Sequence, residues 1–339
     1  MKSNFRVLGA GVWGLAFSDY LYKLGHNVEV FCRDTNLKNK KLNDIDLKTL
    51  SGIKFKSFDE LDKHESSDAI NIMAVNSKGF DNVLVEHKKY FQGVKQLVSL
   101  TKGIDHGTGL LFHSLVEERI NSDIKYGLIS GPSFAIDLVN KKRISVSFAC
   151  CDNDLVDKIV TSTESSYFNM IPISEIHHIE IAGIIKNIAA ILCGMADSIF
   201  DKGIYTNEII KRASDETWKI SSEALAYDKS KYNEEKYLNS EHQMDKETII
   251  KSPGYVGDMI LTCKQNQSRN YQFGKAIADI HTNIEEAKNN IGTVEGYECC
   301  ITLEEKSPFA TGDLTKLLYK IIKCDDASRV KILKSFLQA

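Results

Sequence analysis

The chain has 339 residues, of which 42% are hydrophobic and 26% are charged, and its formal net charge is -3. This length is comfortable for two compact domains, and the balance is typical of a globular protein rather than a disordered one. The slightly negative charge argues against nucleic acid as the main partner, because phosphate backbones select for clustered Lys and Arg. A small anionic ligand stays compatible with it, since such a ligand needs only a few local cations.

The cysteine pattern favours a reducing compartment. The 8 cysteines include no C-x-x-C pair and form no zinc-ligand spacing with the histidines, so no metal is predicted. The apolar stretch near the start contains three glycines and is predicted to be a strand and a turn rather than a secretory signal. No run reaches the roughly 18 apolar residues of a membrane span. We therefore expect a cytoplasmic protein without stable membrane insertion.

The first part of the chain predicts strands that alternate with helices. A short strand over Phe5–Leu8 is followed by a helix over Leu15–Leu24, which Gly25 ends, and by a second strand over Val28–Cys32. Later strands are predicted over residues 69–75, 96–100, 126–130 and 144–148. Strands separated by helical stretches predict right-handed crossovers and a parallel sheet, whose ligand crevice lies at the carboxyl ends of the strands.

The pattern changes near Pro172 and becomes mostly helical from Ser174 onward. Apolar residues lie almost all round Ile176–Met195, which predicts a central buried helix. The charged stretch Asp228–Lys246 is interpreted as an exposed insertion. We therefore predict a doubly wound, Rossmann-like α/β domain over residues 1–173, followed by an all-α substrate-binding and catalytic domain over residues 174–339.

A glycine-rich loop follows the first predicted strand. The run Gly9-Ala10-Gly11-Val12-Trp13-Gly14 matches G-x-G-x-x-G in a strand–loop–helix–strand context. In this fingerprint the first glycine permits the tight turn, the second lets the backbone approach a pyrophosphate, and the third lets the helix pack closely on the sheet. The amino terminus of the helix then offers its N–H groups to the phosphates. The loop predicts dinucleotide binding; the alternative is a glycine-rich turn with no ligand.

Arg33 and Asp34 directly follow the second predicted strand, where a side chain usually contacts the adenosine ribose. An acidic group there accepts from the ribose hydroxyls of NAD, whereas Arg suits the additional phosphate of NADP. Because Arg33 comes first, the order slightly favours tolerance of NADP. The alternative is a solvated pair of charges at a strand end.

Further motifs follow in order along nearly the whole chain. They are Thr101-Lys102-Gly103, Ser130-Gly131-Pro132-Ser133-Phe134-Ala135, Glu180 through Lys186-Asn187, Gly257-Asp258 with Leu261-Thr262-Cys263, Ser268-Arg269-Asn270, and Val294-Glu295-Gly296-Tyr297. Together with the glycine-rich loop, this set resembles glycerol-3-phosphate dehydrogenases, most closely the bacterial type. The chain departs from the family's pattern in a short segment before Phe58, in the stretch Ser252–Asp258, in Asn76 where a proline is expected, and in the charged insertion.

The resemblance implies a reversible hydride transfer between NAD(P)H and dihydroxyacetone phosphate that gives sn-glycerol 3-phosphate, the backbone for phospholipid synthesis. The cofactor is NAD or NADP, the partner is a small phosphorylated three-carbon substrate, and a homodimer is left open. The implied cofactor contacts are Gly9, Gly11, Val12, Trp13, Gly14, Arg33, Lys102, Ala135, Arg269, Thr293 and Glu295. The implied substrate contacts are Lys102, Gly131, Ser133, Lys186, Asp258, Thr262, Ser268, Arg269 and Asn270.

Lys186 is the strongest catalytic candidate. It lies within a predicted apolar helix, on one face with the small residues Gly183, Ala190 and Gly194. A lysine in such surroundings is costly unless it is paired, and the small residues leave space suited to a ligand. We interpret Lys186 as the acid/base that exchanges a proton with the substrate oxygen, which is the role that the resemblance assigns to it. The alternative is a snorkelling surface lysine.

The other catalytic candidates are Asp258, which would orient the Lys186 ammonium, and Lys102, which follows a predicted strand and would add a cation near the substrate oxygen. For Glu295, a solvated glutamate is the alternative. Two other functions stay open: another reductase with the same two-domain plan, such as a hydroxyacid or ketopantoate-type enzyme, and a catalytically inactive NAD(P)-binding sensor. The triplet Ser268-Arg269-Asn270 disfavours the first, and the presence of Lys186 and Asp258 disfavours the second.

Overall fold

The computed structural model describes residues 2–35, 50, 52–64, 69–120, 123–232, 244–266 and 268–339. It forms two compact units. Unit 1 consists mainly of Met1–Asp105 and Leu111–Ile176, and unit 2 of His106–Leu110 and most of the chain from His177 to Ala339. The division at residue 173 stays a prediction.

Unit 1 is built on an eight-stranded sheet in the order β3-β2-β1-β4-β5-β6-β7-β8. The strands are β1 (Asn4–Leu8), β2 (Asn27–Cys32), β3 (Lys54–Ser57), β4 (Ile70–Met73), β5 (Gln96–Ser99), β6 (Lys125–Ser130), β7 (Ile144–Cys150) and β8 (Phe168–Ile173). Strand β1 pairs with β2 from Asn4↔Asn27 to Leu8↔Phe31, and with β4 from Phe5↔Ile70 to Leu8↔Met73. The doubly wound α/β architecture is confirmed.

The sheet corrects the sequence prediction in two respects. Strands β6 and β7 pair antiparallel, with Ile129 opposite Phe148, whereas the other neighbouring pairs are parallel. Serines alternate with apolar residues over Ile144–Phe148, a pattern more typical of antiparallel than of parallel strands, and the sequence prediction did not use it. Strands β3 and β8 were not predicted. Both lie at the edges of the sheet, where Lys54 and Pro172 are tolerated because one side of the strand needs no partner.

Helices cover both faces of this sheet. They are α1 (Val12–Lys23), α2 (Ser77–Glu86), α3 (Lys88–Phe91), α4 (Phe112–Arg119), α5 (Ala135–Val139) and α6 (Asn153–Thr163), with a 3₁₀ turn over Phe58–Lys63. One apolar core joins the sheet to α1, α5 and α6 and includes Phe17 and Ile159. A second core joins it to α2, α3 and α4 and includes Phe80 and Leu115. Two cores on opposite faces bury the apolar side chains of every central strand.

Unit 2 is helical in the part of the chain that the structure describes. Its helices are α7 (Ile176–Ile199), α8 (Thr206–Lys231), α9 (Lys246–Lys251), α10 (Asp258–Lys264), α11 (Arg269–Ile277), α12 (Ile284–Ile291), α13 (Glu295–Glu305), α14 (Asp313–Lys323) and α15 (Arg329–Leu337), with a π-helical turn over Pro253–Gly257 and a 3₁₀ turn over Asp326–Ser328. The predicted all-α character is confirmed.

Helix α7 is the buried centre that the sequence predicted. By length and composition alone it could cross a membrane, which corrects the expectation that no stretch qualifies. Its most apolar 18-residue window is nevertheless 100% buried inside the protein, as in the core helix of a globular domain. The side chains on all faces of this window therefore pack against other parts of the protein.

The small residues of α7 do not all leave space for a ligand. A Cβ atom added to Gly194 would lie 2.0 Å from the carbonyl oxygen of Tyr271, and one added to Gly274 would lie 1.9 Å from that of Ile191. Helices α7 and α11 thus meet backbone to backbone. The prediction of a ligand space beside Gly194 is wrong, because α11 fills it.

The predicted charged insertion lies largely outside the described residues, which stop at residue 232 and resume at 244. Its first residue does not fit the prediction of an exposed stretch. Asp228 is buried in α8, and its Oδ2 lies 2.9 Å from His177 Nε2. The sequence could not predict this contact, because the two residues are 51 positions apart.

Candidate active site

The glycine-rich loop forms a tight turn between β1 and α1. Gly9 has a φ of +114°, a backbone conformation that residues with a Cβ rarely adopt, and a Cβ there would lie 2.7 Å from backbone atoms of Ala74. A Cβ on Gly14 would lie 2.8 Å from the carbonyl oxygen of Gly9. The first turn of α1 contains no acidic side chain, and its N-cap, Gly11, has no side chain to occupy the amide groups. The first turn of α1 therefore presents backbone N–H groups suited to an anion.

A cavity of about 980 Å³ opens beside this loop. It adjoins the carboxyl ends of β1, β2 and β4, where a doubly wound sheet binds its ligand. Its size matches the upper range of pockets for cofactors. The lining residues include Gly9, Gly11, Arg33 and Asp34, with Arg33 exposed and Asp34 half-buried. The predicted cofactor loop and the predicted ribose-binding pair thus line one cavity.

Sequence reasoning missed part of this cavity. Ser57, Phe58 and Asp59 line it from the end of β3, a strand that was not predicted, and His87 lies stacked on Phe58 with ring centroids 5.7 Å apart. Cys32 also lines the cavity. Burial raises the pKa of its thiol, and the neighbouring Asp34 carboxylate adds to the effect, so the sulfur stays protonated and is a poor nucleophile.

A second set of predicted residues in unit 1 is joined by hydrogen bonds. Trp13 Nε1 donates to the carbonyl oxygen of Ser133 at 3.2 Å. The carbonyl oxygen of Gly131 accepts from Ser133 Oγ at 3.3 Å and from Lys102 Nζ at 3.2 Å. Ala135 begins α5 directly after this segment. The structure therefore brings the predicted cofactor residue Trp13 together with three predicted substrate residues.

Lys186 and Asp258 form a buried ion pair in unit 2. Lys186 Nζ lies 2.9 Å from Asp258 Oδ2, and the two residues are only 8% and 3% exposed. Asp258 begins α10 immediately after the π-helical turn, and Thr262 Oγ1 donates to its carbonyl oxygen at 2.6 Å. A charged pair in this environment is retained only with good geometry, because removing both groups from water costs several kcal/mol. Lys186 is therefore not a snorkelling surface lysine.

The triplet Ser268-Arg269-Asn270 forms the start of α11. Ser268 is the N-cap and accepts from the backbone N–H of Tyr271, while Arg269 is the first helical residue and is exposed. Asn270 is buried, and its amide bonds to Asn187 and to the backbone of Gly296, each at 2.9 Å. Its direct contact with a phosphate stays a prediction.

The last two predicted cofactor residues lie at the start of α13. Thr293 is exposed in the preceding loop, and Glu295 is half-buried as the first residue of the helix. Glu295 Oε2 accepts from Asn187 Nδ2 at 3.3 Å, so Glu295 is not simply a solvated surface residue. Sequence reasoning gave Asn187 no role of its own, although it directly follows Lys186.

The amino-acid sequence matches two family models that together span most of the chain. One describes the N-terminus of NAD-dependent glycerol-3-phosphate dehydrogenase and matches residues 4–156; the other describes the C-terminus of the same enzyme and matches residues 175–329. The chain belongs to the NAD-dependent glycerol-3-phosphate dehydrogenase family. The resemblance inferred from the motifs is thereby confirmed.

Individual family members show the same relationship. The glycerol-3-phosphate dehydrogenase [NAD(P)+] of Francisella tularensis subsp. novicida is 28% identical over 304 residues, which cover 88% of this chain and 85% of that protein. The crystal structure of glycerol-3-phosphate dehydrogenase from Coxiella burnetii matches with a TM-score of 0.79 at 21% identity, covering 100% of this chain and 99% of that one. The yeast enzyme from Saccharomyces cerevisiae matches with a TM-score of 0.69 at 17% identity, covering 98% and 100%. At these identities the structures show a shared fold.

One departure from the dehydrogenase motif has a defined local structure. The segment Ser252–Asp258 contains the π-helical turn, and Tyr255 within it is fully buried with its hydroxyl donating to the carbonyl oxygen of Ser214 at 2.7 Å. A π-helical turn is rare and often lies at a functional site. Here the turn ends immediately before Asp258, so despite the altered motif the Asp258 carboxylate contacts Lys186.

Proposed function

We propose that this chain catalyses the reversible reduction of dihydroxyacetone phosphate to sn-glycerol 3-phosphate with NADH or NADPH. The observation that carries the proposal is the buried Lys186–Asp258 pair, in a chain that also has a glycine cradle for a dinucleotide. Ketone reduction needs a hydride donor and a proton donor for the oxygen that becomes negative. Lys186 would be the proton donor, and the cavity beside the glycine-rich loop would hold the hydride donor.

The glycine cradle fits the cofactor. Gly9 and Gly14 keep side chains away from the loop, and the first turn of α1 offers donors to a pyrophosphate. When bound there, NAD(P)H would supply the hydride that the reduction needs. Arg33 would hold the 2′-phosphate when the cofactor is NADPH, and Asp34 the ribose hydroxyls of NADH.

Lys186 would donate a proton from Nζ to the carbonyl oxygen and take it back in the reverse reaction. Asp258 keeps the ammonium group in place, because its Oδ2 accepts one of the three N–H groups and leaves the others for the substrate oxygen. The family resemblance assigns Lys102 to the reaction as a further cation. Arg269, with Thr262 and Asn270, would bind the phosphate, and a guanidinium can do so through two parallel hydrogen bonds.

The product suits a role as the glycerol phosphate backbone of phospholipids, and we propose that the enzyme acts in the cytoplasm. A homodimer, and the roles of the individual site residues, are likewise proposals. The domain division at residue 173 is retained on the change of sequence pattern near Pro172.

The test is loss of nicotinamide absorbance when purified protein, NADH or NADPH, and dihydroxyacetone phosphate are mixed. We expect turnover with the phosphorylated ketone, far less with unphosphorylated dihydroxyacetone, and loss of turnover in a Lys186→Met variant. Reduction of 2-oxo acids in preference to dihydroxyacetone phosphate would instead identify a hydroxyacid-type reductase. Tight cofactor binding without turnover on any of these substrates would identify a sensor.

A further inference from the structure

Two buried asparagines join three helices of unit 2 through a continuous chain of hydrogen bonds. Asn187 on α7 accepts at Oδ1 from Asn270 Nδ2 on α11 at 2.9 Å. Asn270 Oδ1 in turn accepts from the backbone N–H of Gly296 on α13 at 2.9 Å. Asn187 Nδ2 donates to Glu295 Oε2 and to the carbonyl oxygen of Gly183, both at 3.3 Å. We call this arrangement the amide bridge.

The two ends of the amide bridge determine the orientation of both amides. The Gly296 N–H can only donate, so the oxygen of Asn270 must face it and its nitrogen must face Asn187. At the other end, the Glu295 carboxylate and the Gly183 carbonyl can only accept, so the nitrogen of Asn187 must face them. Both requirements give the same order from donor to acceptor, which runs from Gly296 through Asn270 and Asn187 to Glu295. The bridge is therefore polar and cannot be reversed without losing bonds.

The amide bridge lies one residue from each of three proposed functional groups. Asn187 directly follows Lys186, Asn270 directly follows Arg269, and Gly296 directly follows Glu295. The helices touch there without intervening side chains, since a Cβ on Gly296 would lie 2.5 Å from the carbonyl oxygen of Asn187. Asn187 and Asn270 are only 3% and 7% exposed, so breaking one of these hydrogen bonds would leave a buried polar group unpaired.

We propose that Asn187 is a positioning residue whose amide sets the distance between the proton donor Lys186 and the phosphate-binding Arg269. This inference rests on the proposed function. A substrate held by its phosphate is reduced quickly only if its carbonyl oxygen then lies at Lys186 Nζ, so the phosphate accelerates turnover only while the two helices keep their register. Without the bridge, both groups are still present but no longer act on one substrate at once.

The test replaces Asn187 by Asp, which removes a donor and adds a charge without changing the side chain's shape. The new carboxylate would face Glu295 at a distance where two negative charges repel. We measure kcat/KM for dihydroxyacetone phosphate and for dihydroxyacetone, and take their ratio as the phosphate preference. In Asn187→Asp this preference should fall at least tenfold, since a displacement of about 1 Å can cost on the order of 100-fold in rate.

A second substitution restores a hydrogen bond between positions 187 and 295, with its donor and acceptor exchanged. In Asn187→Asp/Glu295→Gln the carboxylate can accept from both neighbouring amides, so relative to the Glu295→Gln variant the added Asn187→Asp change should lower the phosphate preference less than threefold. Asn71→Asp is the matched control, because Asn71 is also a fully buried asparagine whose nitrogen faces carbonyl oxygens, those of Ala69 and Gln96. It should lower the melting temperature without changing the phosphate preference.

An unchanged phosphate preference in Asn187→Asp, or the same loss in the presence and absence of Glu295→Gln, overturns the positioning role. A fall that Asn71→Asp reproduces also overturns it, since the effect would then be one of general stability. These results differ from failure of the proposed function, in which the unmodified protein itself would leave dihydroxyacetone phosphate unreduced.

Discussion

Replacing Asp258 with alanine tests whether unit 2 depends on the buried ion pair. The change removes the carboxylate that lies 2.9 Å from Lys186 Nζ and leaves the ammonium in a place where only 10% of the lysine side chain is exposed. Lys186 lies within the fully buried window of α7, so most of its side chain is surrounded by protein. The free energy of unfolding should therefore fall.

The expected loss follows from burial. Removing one partner of a buried ion pair costs about 3–5 kcal/mol, because the remaining charge is left without compensation. The small residual exposure of Lys186 favours the lower end of this range. For a unit of this size, 1 kcal/mol corresponds to roughly 2–4 °C, so a loss of about 3 kcal/mol should lower the melting temperature by about 6–12 °C.

The assay is thermal unfolding followed by circular dichroism, together with the double variant Lys186→Met/Asp258→Ala. Removing both charges should restore most of the lost stability, because an apolar pair in that place is close to neutral. Glu247→Ala is the control: it breaks the exposed Lys251–Glu247 pair on α9 and should scarcely move the melting temperature. If Asp258→Ala is as stable as the parent protein, or if the double variant is no more stable than Asp258→Ala, the pair does not have the energetics described above.

Three further predictions concern the substrate, the cofactor and pH. Arg269→Ala should lower kcat/KM for dihydroxyacetone phosphate by roughly 2 kcal/mol, about 30-fold, with little change for dihydroxyacetone; an equal effect on both ketones would exclude a phosphate contact. Arg33→Ala should raise KM for NADPH more than for NADH, and equal changes in coupled kinetic assays would mean that Arg33 is only a surface residue. Burial, together with the neighbouring positive charges of His177 and Lys246, lowers the pKa of His178 to about 4. Below about pH 6.5, His178 therefore binds a proton in the unfolded chain but stays neutral in the folded protein until the pH nears 4. Stability should hence decline by about 3 kcal/mol as pH falls from 6.5 to 4, and urea titrations should show a shallower decline in His178→Phe; equal slopes in both proteins would contradict this reasoning.

Local patterns in the sequence were enough to predict the first half of the proposed site. The glycine-rich loop, the strand before it and the helix after it are consecutive, and their conformations depend on residues within a few positions, such as Gly9 at its positive φ. Arg33 follows β2 directly, so its place at the cavity mouth comes from strand topology that recurs in doubly wound sheets. Lys186 was recognisable because a charge in an apolar helix needs a partner.

Other features depended on tertiary packing. The partner of Lys186 is 72 residues away on α10, and sequence reasoning reached Asp258 only through the family resemblance. The alternation of apolar residues and serines in β7 is compatible with the antiparallel β6–β7 pair, but only the structure shows which neighbour the strand pairs with and in which direction.

The amide bridge is the feature that depends most completely on tertiary packing. Asn187 and Asn270 are 83 positions apart, and each amide is oriented by a partner on another helix. The sequence determined that both polar residues lie beside functional ones, and that Gly194, Gly274 and Gly296 are small. Only the packing of α7, α11 and α13 decided that these glycines admit neighbouring backbones and bring the two amides together, because close approach of helices depends on matched surfaces that no single stretch of sequence contains.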